Sequence, residues 1–426
     1  MIKNIQDVID NDLCCNCGTC EGICPKNAIR LILDNDRREY KPIINRKKCD
    51  NCNTCFLVCP GYSVDFKSLN KYFFNKEPED LRIGVYSNCY LGNSVDEDVR
   101  YNSSSGGVIT SILIYALEKG IIDGALVTRM KKDNPFEPEP FIAKNKEEII
   151  EAAKSKYCPV PLNKLITEIL KSENLKIAVV GLPCHIHGIR KAEILNKSLK
   201  NKIVLHLGLF CSHTDTFWQT YSLINKLDIA ESDVLKIDYR GEGWPGKMVI
   251  ELKNGNIFNL PFQEAMSQHI LWINSLCRCL FCCDLTAELS DISFGDPWLP
   301  EITQKEKKGK TLIVCRTENA NKLLLDSVEE TYINLEIISP QKVKKSGAMM
   351  ESKKKDINGR FLIRRLLNKE IPKYNTELLK PGFKNYMKGF FVYFNTNLSS
   401  KPYLRKFSTK LFPLELWVMK KIIGDK

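Results

Sequence analysis

The feature that most constrains this 426-residue chain is a cysteine-rich run that occurs twice near its N-terminus. The spacing C-x2-C-x2-C-x3-C-P spans residues 14–25 and again 49–60. The cysteines of the two runs are Cys14, Cys17, Cys20, Cys24, Cys49, Cys52, Cys55 and Cys59. A zinc site needs only four ligands at tetrahedral spacing. Two complete runs, each closed by proline, therefore favour two iron–sulfur clusters.

In bacterial ferredoxins with two 4Fe-4S clusters, the fourth cysteine of each such run binds the other cluster. One cluster is therefore expected on Cys14, Cys17, Cys20 and Cys59, and the other on Cys49, Cys52, Cys55 and Cys24. Segments 28–33 and 39–44 predict a β-hairpin between the two runs. Cys15 has no place in the pattern. We expect this ferredoxin-like domain to span residues 1–76.

Composition bears on the cellular location of the chain and on whether it binds nucleic acid. The N-terminus carries acidic residues and lacks the apolar segment of a secretory signal, and no stretch approaches the roughly 18–20 apolar residues of a membrane span. A cytoplasmic location would keep the 18 cysteines reduced. The net charge of +12 is concentrated in residues 341–426, which hold 21 basic and 6 acidic residues. No nucleic-acid partner is expected, because no stacking platform or recognised binding fold accompanies this charge.

Residues 77–345 alternate between apolar strands and amphipathic helices, which predicts an α/β domain of mixed α+β type. Neither a G-x-G-x-x-G loop after a strand nor a P-loop is present. The loop Asn102–Gly107 instead precedes a predicted helix. Its hydroxyls and amides suit a phosphate, although a serine-rich loop is also an ordinary helix cap. Residues 346–426 predict a basic, mainly helical extension.

Four further cysteines lie where two predicted strands end or in a C-x2-C pair. Cys184 and Cys211 follow strands, and Cys279 and Cys282 form the pair. The carboxyl edge of an open α/β sheet is where ligands bind, so these thiols can converge on a third cluster. Buried structural thiols remain the alternative, and Cys277 and Cys283 compete for the C-x2-C positions. The sequence Cys184-His185-x-His187 suggests zinc more weakly, because a helix turns neighbouring residues to different faces.

These motifs together resemble one known family. N-S-S-S-G-G at 102–107, S-K-Y at 155–157, G-x-P-C, L-F-C and C-x2-C-x-D-x-T-A-E-L-x-D-I at 279–292 are similar to the β subunit of deazaflavin-coenzyme (F-420)-reducing hydrogenase and formate dehydrogenase. The resemblance implies a bound FAD with a 4Fe-4S cluster beside it. The residues that match its flavin side are Asn102, Ser103, Ser104, Ser105, Gly106, Gly107 and Lys156. Those that match the cluster are Cys184, Cys211, Cys279 and Cys282.

The function implied is an iron–sulfur flavoprotein oxidoreductase. Electrons would pass between a two-electron carrier, the reduced deazaflavin coenzyme, and a ferredoxin or partner subunit. A ferredoxin-dependent reductase of an organic substrate and a non-catalytic electron-relay subunit are the alternatives. No acid or base residue is assigned.

Two other segments are open to more than one interpretation. Arg240, Trp244 and Lys247 lie in a glycine-rich loop that either lines a substrate site or simply flanks a hairpin. The basic extension, with Lys353–Lys355, Arg364 and Arg365, either packs on the domain with a solvated basic face or docks on a larger or membrane-associated complex.

Overall fold

We describe a computed structural model, which covers residues 2–270, 272–347, 349–401 and 404. The fold is mixed α/β, as predicted, and its centre is an eight-stranded sheet. The strands are β1 (Ile29–Asp34), β2 (Glu39–Ile44), β3 (Ser63–Val64), β4 (Asn88–Ser94), β5 (Gly124–Met130), β6 (Pro138–Ala143), β7 (Ile177–Gly181), β8 (Ile203–Leu209), β9 (Val234–Asp238), β10 (Lys247–Leu252), β11 (Ile257–Pro261), β12 (Ile292–Gly295), β13 (Thr311–Cys315), β14 (Ile333–Ile337) and β15 (Lys373–Tyr374).

Helices cover both faces of this sheet and form most of the C-terminal part. They are α1 (Ile5–Asp10), α2 (Thr19–Gly22), α3 (Thr54–Leu57), α4 (Phe66–Phe74), α5 (Glu97–Asn102), α6 (Val108–Glu118), α7 (Lys146–Glu151), α8 (Ile166–Lys171), α9 (Pro183–Leu195), α10 (Lys197–Lys202), α11 (Trp218–Lys226), α12 (Phe262–Ala265), α13 (Ser267–Ile270), α14 (Pro300–Thr303), α15 (Glu318–Glu329), α16 (Pro340–Ser346), α17 (Ile357–Leu366) and α18 (Phe383–Ser399). A π-helical turn, Ser352–Asp356, precedes α17.

The large sheet has the order β14-β4-β13-β12-β8-β7-β5-β6. Strands β5, β7, β8 and β12 are parallel, whereas β6, β13 and β14 pair antiparallel to their neighbours. The parallel strands are almost continuously apolar because helices cover both of their faces. Their carboxyl ends therefore meet at one edge of the sheet, where the polar loops that follow them gather.

The β10–β11 hairpin turns through Lys253–Gly255, where Gly255 takes the positive φ of 88° that closes the loop. Strand β9 joins it to make a separate three-stranded sheet. Its buried face packs against α11 through Ile237, Ile250 and Ile224. This small sheet projects the glycine-rich loop 239–246 toward the edge of the large sheet.

The N-terminal domain and the C-terminal extension share one hydrophobic core. Ile5 and Leu13 belong to the same buried cluster as Phe281 from the central domain and Phe361 and Val392 from α17 and α18. Strand β15 also pairs in parallel with β3 of the N-terminal domain. The extension is thus part of the body of the protein up to residue 401.

The basic face of the extension is not solvated where the sequence predicts it to be. Lys353, Lys354 and Arg364 are buried. The Arg364 guanidinium donates to Asn11 O and lies over the Phe281 ring. Arg405, Lys406 and the apolar segment 411–419 lie outside the described residues. Within the described residues, no helix is long and apolar enough to cross a membrane.

Candidate functional site

The first group of N-terminal cysteines surrounds the start of α2. Cys14, Cys17, Cys20 and Cys59 are near enough to raise one another's thiol pKa values, in addition to the larger effect of burial on Cys14 and Cys20. Gly18, in the left-handed conformation with φ 83°, allows the tight turn between Cys17 and Cys20. Four sulfur atoms converge here, as a 4Fe-4S cluster requires.

The second group surrounds α3 and lies nearer the surface. Cys55 has Cys24, Cys52 and Cys49 as its electrostatic neighbours, and burial raises its thiol pKa to about 11. The four side chains line a cavity of about 300 Å³. Cys52 is exposed. This group therefore lies at the surface of the protein.

A third group forms at the carboxyl edge of the large sheet. Cys184 begins α9 directly after β7, and Cys211 follows β8, so the two parallel strands deliver them side by side. A 3₁₀ turn, Cys277–Phe281, carries Cys279 to the same place and Cys282 follows it. Cys184 has Cys211 and Cys279 as electrostatic neighbours, and Cys211 has Cys279 and Cys282.

The competing cysteines point elsewhere. Cys277 lies beside Arg37 and Glu39, and Cys283 is fully buried beside Lys354. His185 Nε2 lies 2.9 Å from Val160 O, and His187 Nε2 lies 2.8 Å from Asp284 Oδ2, so the two rings serve separate contacts. The arrangement gives no support to zinc at Cys184-His185-x-His187.

Cys15 lies between the first and third groups. Its thiol is an electrostatic neighbour of both Cys17 and Cys184. Arg278 lies close to it and donates to Gly61 O and Pro60 O, next to Cys59. The two cysteine groups are therefore direct neighbours, although they belong to different parts of the sequence.

The serine-rich loop uses its side chains within the protein. Ser103 Oγ donates to Val99 O and Ser105 Oγ to Lys310 O, while Ser104 Oγ accepts from Ser155 N at 2.7 Å. Asn102 Nδ2 donates to Asp98 O, and Gly106 N donates to Thr311 Oγ1. Gly107 adopts φ 76° immediately before α6, which positions the loop at that helix N-terminus.

Lys156 is also engaged locally. Its ammonium lies 2.6–3.0 Å from the carbonyl oxygens of Ala152, Ala153 and Lys154, where it closes the end of α7. Burial lowers its pKa to about 7. Lys156 and the side chains of the serine-rich loop thus hold the local backbone in place. Their contact with a flavin stays a prediction.

Two loops, at 154–157 and 240–246, meet the serine-rich segment. Gly243 N donates to Tyr101 O, and the loop at 154–157 reaches both Ser104 and Gly241. Arg240 is buried at this junction, where Nε donates to Pro245 O and Nη1 to Asp296 Oδ2. Its Nη2 atom is buried without a well-formed hydrogen bond to any described residue.

Aromatic side chains surround the Arg240 guanidinium. It lies 4.4 Å from the Phe262 ring centroid, with Trp298 behind, and the Tyr157 hydroxyl lies beside it. Trp244 Nε1 donates to Asp296 Oδ1 at 3.0 Å. A buried guanidinium among aromatic rings fits a planar group that carries carbonyl or phosphate oxygens. An isoalloxazine ring has this chemistry.

His269 connects this junction to the third cysteine group. Its ring packs edge-on against Tyr157, and its Nε2 atom lies 3.2 Å from Ser212 Oγ, next to Cys211. Asp215 holds the other nitrogen, Nδ1, at 2.6 Å. His213 stacks face to face on His269 at 3.7 Å. One ring nitrogen of each histidine and one carboxylate oxygen of Asp215 lie within 4.8 Å of one another.

The comparisons with known proteins agree with this architecture. The family profile described as coenzyme F420 hydrogenase/dehydrogenase, beta subunit N-term matches residues 89–167, and the C-terminus profile of the same subunit matches 174–341. A 4Fe-4S dicluster domain profile matches residues 13–80. The chain thus joins an iron–sulfur domain to a mixed α/β body. It belongs to the family of coenzyme F420 hydrogenase/dehydrogenase beta subunits, which confirms the resemblance predicted from the motifs.

Relatives from methanogens share this similarity. The chain is 27% identical over 256 residues to the coenzyme F420 hydrogenase subunit beta of Methanosarcina barkeri, covering 59% of this chain and 82% of the relative. It is 28% identical to a subunit of the F(420)H(2) dehydrogenase of Methanosarcina mazei, covering 83% of this chain and 93% of the relative. It is 28% identical to the coenzyme F420-dependent sulfite reductase of Methanocaldococcus jannaschii, covering 78% of this chain and 49% of that protein.

The fold also resembles a solved structure. A chain of the F420-reducing [NiFe] hydrogenase complex from Methanosarcina barkeri superposes with a TM-score of 0.54 at 23% identity, covering 69% of this chain and 98% of that chain. At this identity the similarity concerns the fold. The family membership makes the protein an oxidoreductase component with a 4Fe-4S domain.

Sequence reasoning missed three residues of the site. Asp296, which holds Arg240 and Trp244, follows the quoted motif by four residues, and no sequence pattern predicts its role. His269 has no motif around it. Lys353 is one of three consecutive lysines, and the sequence predicts that all three are exposed to solvent. Nothing in the sequence indicates which of them the fold buries.

Proposed function

We propose that this chain is an iron–sulfur flavoprotein subunit that exchanges electrons between reduced deazaflavin coenzyme and a ferredoxin or partner subunit. The observation that carries the proposal is a continuous series of neighbouring groups. The Arg240 junction connects through His269 and Ser212 to Cys211, and Cys15 connects Cys184 to Cys17. Cys20 in turn neighbours Cys55 of the outermost group.

The residues that would hold the cofactors follow from this geometry. Three 4Fe-4S clusters would take the three groups of four cysteines. An FAD would lie at the junction of loops 101–107, 154–157 and 240–246, with Nη2 of Arg240 as a donor. Bound there, the flavin would supply conversion between two-electron and one-electron transfer, and the clusters one-electron transfer.

The protein groups have their own parts in this proposal. Asp296 orients Arg240 and Trp244, and Asp215 orients the His269 ring. Cys184 and Cys211 are partly buried, whereas the exposed Cys52 marks the face for a redox partner. The proton at the flavin site is not assigned to a residue.

A reduction experiment tests the proposal. Anaerobically purified protein is mixed with the reduced deazaflavin coenzyme, and flavin and cluster absorbance are followed. Bleaching of both signals is expected, together with reduction of an added low-potential dye. Bound flavin that stays oxidised with the coenzyme, yet bleaches with reduced ferredoxin, would overturn the deazaflavin assignment and favour direct reduction of an organic substrate. A protein that binds clusters but no flavin would favour the relay subunit.

A further inference from the structure

A buried lysine faces the third cysteine group. Lys353 is 1% exposed and lies on the π-helical turn Ser352–Asp356. Its electrostatic partners are the sulfur atoms of Cys282, Cys211 and Cys279. It lies beyond residue 341, where the family match ends. π-helical turns are rare and frequent at functional sites, which makes the position of this lysine a feature to explain.

No carboxylate compensates this ammonium group within the part of the chain that the structure describes. No acidic side chain there forms an ion pair with Lys353, whereas its neighbours Lys354 and Lys355 pair with Glu288 and Glu351. A buried charge without a partner is strongly unfavourable. The groups that Lys353 faces and that can become anionic are cysteine thiols, so its burial implies negative charge on them.

Two arginines also lie near the third cysteine group. Arg360 is fully buried, donates to Ser352 and acts on Cys282. Arg278 acts on Cys282 as well. Asp356 is the acidic neighbour of Arg360, and its carboxylate accepts from Asn385 Nδ2 at 2.7 Å. His213 faces Lys353 from the loop after Cys211.

We propose that Lys353 is the fixed counter-charge of a 4Fe-4S cluster held by Cys184, Cys211, Cys279 and Cys282, and that it raises the reduction potential of that cluster. The inference rests on the proposed function. A 4Fe-4S centre with four thiolates carries about −2 when oxidised and about −3 when reduced. A nearby cation therefore stabilises the reduced state more than the oxidised state.

The electron balance of this step is simple. Reduction adds one electron, drawn from the carrier or ferredoxin of the proposed function, and one unit of negative charge. No bond forms or breaks, and Lys353 keeps its proton throughout. Lys353 thus supplies a fixed positive charge and takes no part in bond chemistry. Residues 352–356 of the extension therefore belong to the redox site.

Three variants test the proposal in the full-length, anaerobically purified protein. Lys353→Met removes the charge at similar volume, Lys353→Arg keeps it, and Lys355→Met removes a charge from the outer side of the same turn. The readout is an EPR-monitored redox titration with a chemical reductant, with iron counted for each sample. In Lys353→Met we expect at least a tenfold loss of reduced third cluster at a fixed potential, equivalent to about 59 mV for one electron. Lys353→Arg and Lys355→Met are expected to stay within about twofold of the native protein.

The outcomes separate cleanly. Loss of about four irons in Lys353→Met but not in Lys353→Arg would also support the charge role, because it shows that the cluster needs the cation. Equal titration curves for all variants, or loss of the cluster from both Lys353 variants, would overturn it. A native protein with only about eight irons would lack the third cluster. That result would contradict the proposed function itself, before the role of Lys353 is tested.

Discussion

The thiol of Cys15 lies close to the thiol of Cys184, and the two are electrostatic neighbours. This contact joins the N-terminal iron–sulfur domain to the carboxyl edge of the large sheet, and Arg278 lies beside it. Cys15 adjoins two groups of candidate ligands without completing either, since each group already has four cysteines. Cys15 can therefore lie between the two groups although it is outside the ligand pattern.

The Cys15→Ala variant is therefore expected to keep all of its iron. Cys14→Ala, its matched control in the same loop, is expected to lose about four irons, because Cys14 belongs to the first group. Anaerobic iron and sulfide analysis of both variants makes the comparison. Equal iron loss in the two variants would show that Cys15 is itself a ligand.

The Asp296→Asn variant is expected to lose stability, because it leaves the buried Arg240 without its ion partner. Removing one member of a buried ion pair typically costs about 3–5 kcal/mol in the free energy of unfolding. Anaerobic urea unfolding measures this loss, and flavin content measured on the same samples is expected to fall. Glu97→Gln is the control, because it breaks the exposed Glu97–Lys308 pair and is expected to change little. Similar behaviour of both variants would contradict the account of Arg240.

How much of this was predictable differs from element to element. The cysteine spacing predicts the two N-terminal groups, because ligand spacing within each run is a local property of the sequence, whereas the third group is predicted from strand ends and from the family resemblance. The β10–β11 hairpin follows from Asn254-Gly255. Strand β4 is not predicted, since N-C-Y-L-G-N-S shows no alternation, yet β4 lies between β13 and β14 inside the large sheet. The burial of Lys353 depends on how the extension folds back, which a local pattern does not encode.

The buried His206 is expected to make stability depend on pH. Burial and Arg190 oppose its protonated form, but the carboxylates of Glu193 at 2.7 Å and Asp291 at 3.0 Å raise its pKa above 6.5. A raised pKa contributes stability that is complete below about pH 6.5 and is lost as the pH rises through the folded-state value.

The measurement compares native protein with His206→Gln in anaerobic urea unfolding at about pH 6 and at about pH 8.5, on either side of the transition. The native protein is expected to exceed the variant by more at the lower pH. A difference that is constant, or larger at the higher pH, would contradict a protonated His206 in this network.

The docking of the N-terminal domain depends on Gly22. A Cβ atom at this position would lie 2.0 Å from Asn163 O, which is fixed backbone. Gly22→Ala is therefore expected to loosen the domain from the 3₁₀ turn Leu162–Leu165, with faster limited proteolysis near residues 75–80. Gly382→Ala, where a Cβ atom meets nothing closer than 3.7 Å, is the control and is expected to digest at the native rate. Equal rates in both variants would contradict this contact.

The central claim is that twelve of the cysteines bind three clusters. The most direct test is iron, sulfide and EPR analysis of anaerobically purified native protein beside Cys279→Ser and Cys282→Ser. The account predicts about twelve irons and three 4Fe-4S signals in the native protein, and about eight irons and two signals in each variant. Full iron in the two variants, or about eight irons in the native protein, would contradict it.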